Sequence, residues 1–328
     1  MSFTIFLFLV SAVLIYMACE YFVNGIEWLG LHMRLGETAV GSVLAAFGTA
    51  LPECAVTFTA VFFGDTPEQK YVGVGSAMGG PLVLATIAYA AVGGVLLIKG
   101  RKRERRAIIT GCESVAKDQL YFLSVFVAKI ALGAVAFTVK PWLGLIFLVV
   151  YGAYVRRELS STEAASVEEQ LEPLKFCFHN PSLKWVLTQI FFALALIVVA
   201  SHVFVSQLES ISAQLELPTH IVAMVLSPIA TELPEIMNAM IWVRQGKERL
   251  ALANISGSMM IQATVPSALG LFFTPWIFDV SLFVSGAITV FAIIFLWMMF
   301  RLNKVSPNNL IFVSFFYVAF LSFVFFRF

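Results

Sequence analysis

The chain reads Phe47-Gly48-Thr49-Ala50-Leu51-Pro52-Glu53 in its first half and Ile229-Ala230-Thr231-Glu232-Leu233-Pro234-Glu235 in its second, 182 residues on. Both stretches lie inside long apolar segments that would otherwise read as plain membrane helix. Proline removes a backbone N–H and crowds the carbonyl one turn earlier, so each motif predicts a break or kink with free carbonyl oxygens, around Ala46 and near Pro228. The glutamate that follows puts a carboxylate at membrane depth, a cost of about 2.5 to 3.5 kcal/mol or more unless a cation or a proton answers it. Carbonyls, a threonine hydroxyl and a carboxylate are hard oxygen donors that suit Ca²⁺ or Na⁺ better than a soft or redox metal.

The match extends outward from the motif without a gap. At the same offset of 182, Phe22 and Val23 fall on Phe204 and Val205, Glu27 on Glu209, Val43 and Leu44 on Val225 and Leu226, Gly64 on Gly246, and Gly75-Ser76 on Gly257-Ser258. In each half the serine follows the motif glutamate by 23 residues, the spacing of one helix, a short turn and the middle of the next helix. An apolar match arises easily in a hydrophobic chain; TxLPE, Gly and Gly-Ser in register do not. The chain is an internal duplication, the usual plan of secondary transporters, whose binding site lies at the repeat interface.

Composition fixes the solvent. Hydrophobic residues make up 60% of the chain and charged residues 12%, with a mean hydropathy of +0.90, far from the roughly 25% charged residues of a soluble domain. The reading is an all-α polytopic membrane protein of the cell (inner or plasma) membrane. Phe3 onward reads as the first span, because no basic n-region precedes it. Cys19, Cys54, Cys112 and Cys177 show no paired spacing, so neither a disulfide framework nor a thiolate metal site is indicated. A net charge of +1 gives no sign of a nucleic-acid partner. Inorganic cations and membrane lipid are the expected partners, with no cofactor and no obligate protein partner indicated.

Apolar windows fall near 3–29, 38–63, 71–98, 119–138, 141–155, 184–208, 217–243, 250–274, 278–300 and 309–326, which makes ten spans. Alternate loops carry Arg34, Lys99 to Lys117, Arg156 to Lys184, Arg244 to Arg249, and Arg301 and Lys304, together 17 of the 21 basic residues. The positive-inside rule then puts those loops in the cytoplasm and both termini outside. Lys70, Lys129, Lys140 and Arg327 lie elsewhere. The predicted organisation is a first repeat over 1–155, including a basic cytoplasmic loop at 99–118, a cytoplasmic linker over 156–183, and a second repeat over 184–328. Five spans per half make the two repeats inverted, which alternating access requires.

Among the polar residues inside spans, Thr49, Glu53 and Ser76 are the candidate ligands of the first half. Thr231, Glu235 and Ser258 are those of the second, with Glu232 as an additional acid. Thr49 and Glu53 are four apart and share a helix face. A Thr or Ser in a span also commonly bonds its own helix backbone, whereas a carboxylate there marks function by default. Glu20 and His202 fall in corresponding places in the first and sixth spans. Histidine would serve metal choice or proton coupling, although a lone one near a span end is more often an interfacial side chain.

These residues resemble the α-repeats of the cation/Ca²⁺ antiporter superfamily, whose best-known members are the sodium/calcium exchangers. The resemblance is strong over about 40–84 and 222–266. It implies ten spans, ion sites built by the second, third, seventh and eighth, and sliding of the first and sixth to switch access. Carried over, the ligands would be Thr49, Glu53, Ser76, Thr231, Glu235 and Ser258, with carbonyls at Ala46 and Pro228. Four positions depart from the pattern. Ala50 and Glu232 stand where serine is expected, and Gly80 and Gln262 where Asn or Asp is expected.

The expected function is a secondary active antiporter exchanging Ca²⁺, or a related divalent cation, for Na⁺ or H⁺. An H⁺-coupled carrier of another divalent metal such as Mn²⁺ and a passive cation channel are the alternatives. An intramembrane metalloenzyme is disfavoured, since no HExxH or comparable His pair occurs. Glu232 lies three residues before Glu235, and two like charges in a poorly solvated site do not both ionise easily. Divalent binding would favour the doubly ionised pair and expel a proton.

Overall fold

The computed structural model describes residues 2–36, 39–64, 67–103, 113–160, 172–176, 182–214, 228, 231–302 and 305–327. Helix α1 is Ser2–Met33. Helix α2 opens with a π-helical turn, Val40–Ala45, and continues as Ala46–Phe62. Helix α3 runs Pro67–Val83, passes through a π-helical Leu84–Ala88 and resumes at Tyr89–Arg103. Helix α4 is Glu113–Gly133, and α5 begins with a 3₁₀ turn, Lys140–Leu143, before Gly144–Ser160. Helices α6 and α7 are Leu183–Gln214 and Leu233–Gln245. Helices α8 and α9 are Glu248–Phe273 and Val280–Arg301, and α10 comprises Pro307–Phe312 and Ser314–Arg327.

Each of the ten expected spans corresponds to one of these helices, the seventh only over its later part because most of 215–230 lies outside the described residues. Helices α1, α3, α6, α8, α9 and α10 each contain a stretch long and apolar enough to cross a bilayer unaided. Over the described residues the others do not: α4 carries Glu113, Lys117, Asp118 and Lys129, and the α-helical part of α5 has 17 residues.

Helix pairings repeat under exchange of the two halves. Helix α2 packs on α8 as α3 packs on α7, α3 on α10 as α8 on α5, and α4 on α8 as α9 on α3; α1–α6 and α4–α9 are self-related pairs. The inverted duplication is therefore present in the packing, and it places α2, α3, α7 and α8 at the centre. The apolar window of α8 is 83% buried against 22% for that of α1, so α8 is an axis of the core and most of the α1 surface is left to lipid. Phe3, Phe6, Phe191 and Phe192 lie on that outer surface.

Helices α2 and α8 meet tightly at the centre. A Cβ at Gly257 would lie 2.1 Å from the Ser42 carbonyl oxygen, and one at Gly41 would lie 2.8 Å from that of Leu250. Small residues let helix backbones meet where a membrane interior gives little hydrophobic drive. Gly75, the repeat counterpart of Gly257, has no described atom within 4 Å of its Cβ position. The duplicated sequence thus serves two different environments.

The segment between the halves is partly docked. Leu174 is buried, Asn24 Oδ1 accepts from Lys175 N at 3.2 Å, and Gln189 Nε2 donates to Asn24 Oδ1 at 2.9 Å. Helix α5 runs on through Ser160, so Arg157 and Glu158 belong to it.

Candidate functional site

The two Pro-Glu motifs adopt different backbones. In the first half the expected break at Pro52 does not occur, and α2 is continuous from Ala46 to Phe62. The irregularity sits upstream in the π-helical turn, where Ala46 N donates to Gly41 and Val43 carbonyls. A π turn absorbs an extra residue without unwinding the helix, and such turns recur at functional sites. Proline at 52 withholds an N–H from the Gly48 carbonyl four residues back rather than from Ala46. In the second half the break is present. Glu232 lies outside the helix at φ −85° and ψ 0°, and α7 starts at Leu233 with Pro234 in its first turn, where a missing N–H costs nothing. The Pro228 carbonyl accepts from Glu232 N at 3.0 Å and from Thr231 Oγ1 at 3.2 Å, so it is not left free there.

The site is assembled from both halves. Glu53 on α2 accepts a hydrogen bond from Ser76 on α3, the pair 23 residues apart that the repeat singles out. Thr49 Oγ1 donates to the Ala45 carbonyl at 3.1 Å and lies against the Glu235 carboxylate of the other half. Thr231 reciprocally lies beside Glu53. Glu232 is within electrostatic reach of both Glu53 and Glu235. Thr49, Glu53, Thr231, Glu232, Glu235, Ser258 and Gln262 are all buried, and Ser76 is partly exposed.

Gln262 on α8 holds Glu232: its Nε2 donates to Oε1 at 2.8 Å and to Oε2 at 2.7 Å. Both side chains point at the backbone of α3 where residue 80 has none. A Cβ on Gly80 would lie 2.7 Å from Gln262 Oε1 and 2.8 Å from Glu232 Oε1. The departures at 80, 232 and 262 are therefore one spatial unit.

Several oxygens are buried with no hydrogen-bond partner among the described residues: Glu53 Oε2, both Oε atoms of Glu235, Ser258 Oγ and Gln262 Oε1. A buried carboxylate without a donor is costly unless a cation meets it. Among the described residues no three carboxylate, imidazole or thiol groups form a self-sufficient metal cage, so a bound ion would also need the hydroxyl, amide and carbonyl oxygens. That mixed, all-oxygen donor set fits Ca²⁺ and Na⁺.

Helix α1 covers this region. Phe22 fills the space over Gly48, whose Cβ would lie 2.6 Å from Phe22 Cζ, and Cys19 Sγ lies 3.8 Å from the Pro234 carbonyl. Glu27 ties α1 to the end of α7, accepting from Trp242 Nε1 at 2.8 Å and pairing with Lys247 at 2.6 Å.

A family model described as sodium/calcium exchanger protein matches residues 3–157 and 185–326. The chain belongs to the sodium/calcium exchanger protein family. Solved structures of the sodium-calcium exchanger NCX_Mj share the fold of this family member. One, soaked with 2.5 mM Na⁺ and 0.1 mM Ca²⁺, is 19% identical with a TM-score of 0.77 and covers 98% of each chain. Another, soaked with Na⁺ and Sr²⁺, is 20% identical at a TM-score of 0.77 and covers 97% of each. The curated "Putative antiporter CaxA" of Alkalimonas amylolytica is 22% identical over 314 residues, 93% of this chain and 92% of the relative. The uncharacterized membrane protein MJ0091 of Methanocaldococcus jannaschii is 22% identical over 267 residues, covering 81% and 80%. This exchanger-family chain is a multi-pass cation transporter and not an enzyme.

Other residues fall away from the site. Glu20 pairs with Lys175 at 3.2 Å and His202 is exposed on α6, so neither is brought to the candidate ligands. Cys112 and Cys177 lie outside the described residues. The family motifs give no hint of two buried asparagines, Asn238 and Asn254, whose side-chain polar atoms have no hydrogen-bond partner among the described residues. Their spacing does, since they stand three residues after Glu235 and four before Ser258, on the same helix faces. Equally unsignalled is the group formed by the half-buried Arg157 with the buried Asp118 and Glu158, in which Ser42 also donates to Glu158.

Proposed function

We propose that this exchanger-family protein carries Ca²⁺, or a related divalent cation, across the cell membrane in exchange for Na⁺ or H⁺, binding the ions at mid-membrane between its two Pro-Glu motifs. The observation that carries this reading is the set of partnerless buried oxygens contributed by α2, α7 and α8. They are buried oxygens that a cation would satisfy. Glu53 and Glu235 supply charge, Thr49, Thr231, Ser76 and Ser258 supply hydroxyls, and Gln262 supplies an amide oxygen. In alternating access the loaded site would open to one side and then the other, with both termini outside and α1 and α6 moving over the central helices.

The test is purified protein in liposomes, with ⁴⁵Ca²⁺ uptake compared under an outward Na⁺ gradient, an outward H⁺ gradient and none. Uptake driven by one of the two gradients and absent without it supports coupled exchange and names the coupling ion. Equal uptake with no counter-ion gradient would identify a passive channel instead.

A further inference from the structure

Lys129 is a lysine in a membrane helix that the exchange reading leaves unused. It is fully buried on α4 and has no carboxylate partner among the described residues. Its Nζ donates to the Ala77 carbonyl at 2.8 Å and lies 4.7 Å from the centre of the Phe126 ring. Ala77 owes its available carbonyl to Pro81, four residues on inside α3, which has no N–H to offer it. That carbonyl belongs to the residue directly after Ser76, which is partly exposed and bonded to Glu53.

Capping a carbonyl does not require a charge. The carbonyl of Lys129 itself is met by the neutral indole of Trp276 at 3.1 Å. Burying an ammonium is costly, and a carbonyl oxygen with an aromatic face is the environment that a dehydrated monovalent cation accepts. Helix α8 carries a proline of its own, Pro266, which frees the carbonyl of Gln262 in the same way, and no described side-chain donor reaches it. One Pro-freed carbonyl is met by the Lys129 Nζ.

We propose that Lys129 is a tethered cation occupying a monovalent-cation position on α3, and that it thereby sets how many free monovalent ions are exchanged for each divalent ion. This rests on the exchange reading above. Replacing it by methionine keeps length and apolar bulk but leaves the Ala77 carbonyl without its donor.

The experiment compares wild type, Lys129→Met and Lys129→Met with Pro81→Ala. Stoichiometry is read from the reversal potential of ⁴⁵Ca²⁺ flux in liposomes, and Na⁺ binding from the thermal midpoint of purified protein in Na⁺ against N-methylglucamine at fixed ionic strength. Lys129→Met is expected to add one monovalent ion per divalent ion and to gain a saturable Na⁺ stabilisation beyond that of wild type. Pro81→Ala restores the N–H to Ala77 and should remove both gains. A Lys129→Met protein with wild-type stoichiometry and Na⁺ response overturns the proposal. So does a variant that folds only when Pro81→Ala is also present, since the ammonium is then a structural cap. Absence of exchange in wild type would contradict the exchange reading instead, and the Na⁺ titration would still decide the role of Lys129.

Discussion

The side-chain amide of Gln262 donates to both carboxylate oxygens of Glu232, at 2.8 and 2.7 Å, in a space that exists because residue 80 is glycine. Gly80→Ala would put a carbon 2.8 Å from Glu232 Oε1 and 2.7 Å from Gln262 Oε1, so one side chain must move. Disrupting a buried hydrogen bond to a charged group costs about 1 to 3 kcal/mol. Gly80→Ala should weaken divalent binding about tenfold or more while α3 stays folded, measured by Ca²⁺ titration of purified protein. An unchanged affinity would show that the Glu232–Gln262 unit is not coupled to the ion.

Glu232 stands beside two other buried acids, with Gln262 as its amide donor. A proton on this cluster competes with the divalent ion, so uptake should rise with pH in wild type. Glu232→Gln and Glu232→Ser should flatten that rise without erasing Ca²⁺ binding. A pH profile unchanged in both variants excludes Glu232 as the proton-sensitive group.

Gly257 and Gly75 are repeat counterparts, yet a Cβ would meet the Ser42 carbonyl at 2.1 Å in one case and no described atom within 4 Å in the other. Gly257→Ala should lower the thermal midpoint, by an overpacking penalty of about 1 to 3 kcal/mol. Gly75→Ala should leave it nearly unchanged. Equal effects in a melting assay of the two variants would contradict the tight α2–α8 contact.

Much of this was legible in the sequence because both signals are strong there. Ten apolar windows give ten spans, and TxLPE with Gly-Ser 23 residues beyond its glutamate marks helices that meet, as the Ser76–Glu53 bond shows. Backbone irregularity was not legible. Proline at 52 leaves α2 continuous while a π turn forms at Val40–Ala45, and the same dipeptide at 234 begins a helix. Proline removes one N–H whatever its position; whether the helix breaks depends on what the surrounding packing supplies. Nor could spacing alone show that Gly80 and Glu232 are complementary, since they lie on different helices from different halves.

Topology is testable with the two cysteines of the basic loops. If the positive-inside rule holds, Cys112 and Cys177 are cytoplasmic. In single-cysteine variants each should resist an impermeant thiol reagent added to intact cells and react after permeabilisation. Labelling of either from outside would reverse the orientation.

The central claim is that one carboxylate from each half serves a single ion site: Glu53 on α2, with Thr231 of the second half beside it, and Glu235 on α7, with Thr49 of the first half beside it. The most direct measurement is ⁴⁵Ca²⁺ exchange in liposomes reconstituted with equal amounts of wild type, Glu53→Gln and Glu235→Gln, each checked for a monodisperse, folded state. Both variants are predicted to lose divalent exchange entirely, because each removes a charged oxygen that the other half cannot replace. Exchange at the wild-type rate in either variant would contradict the shared site.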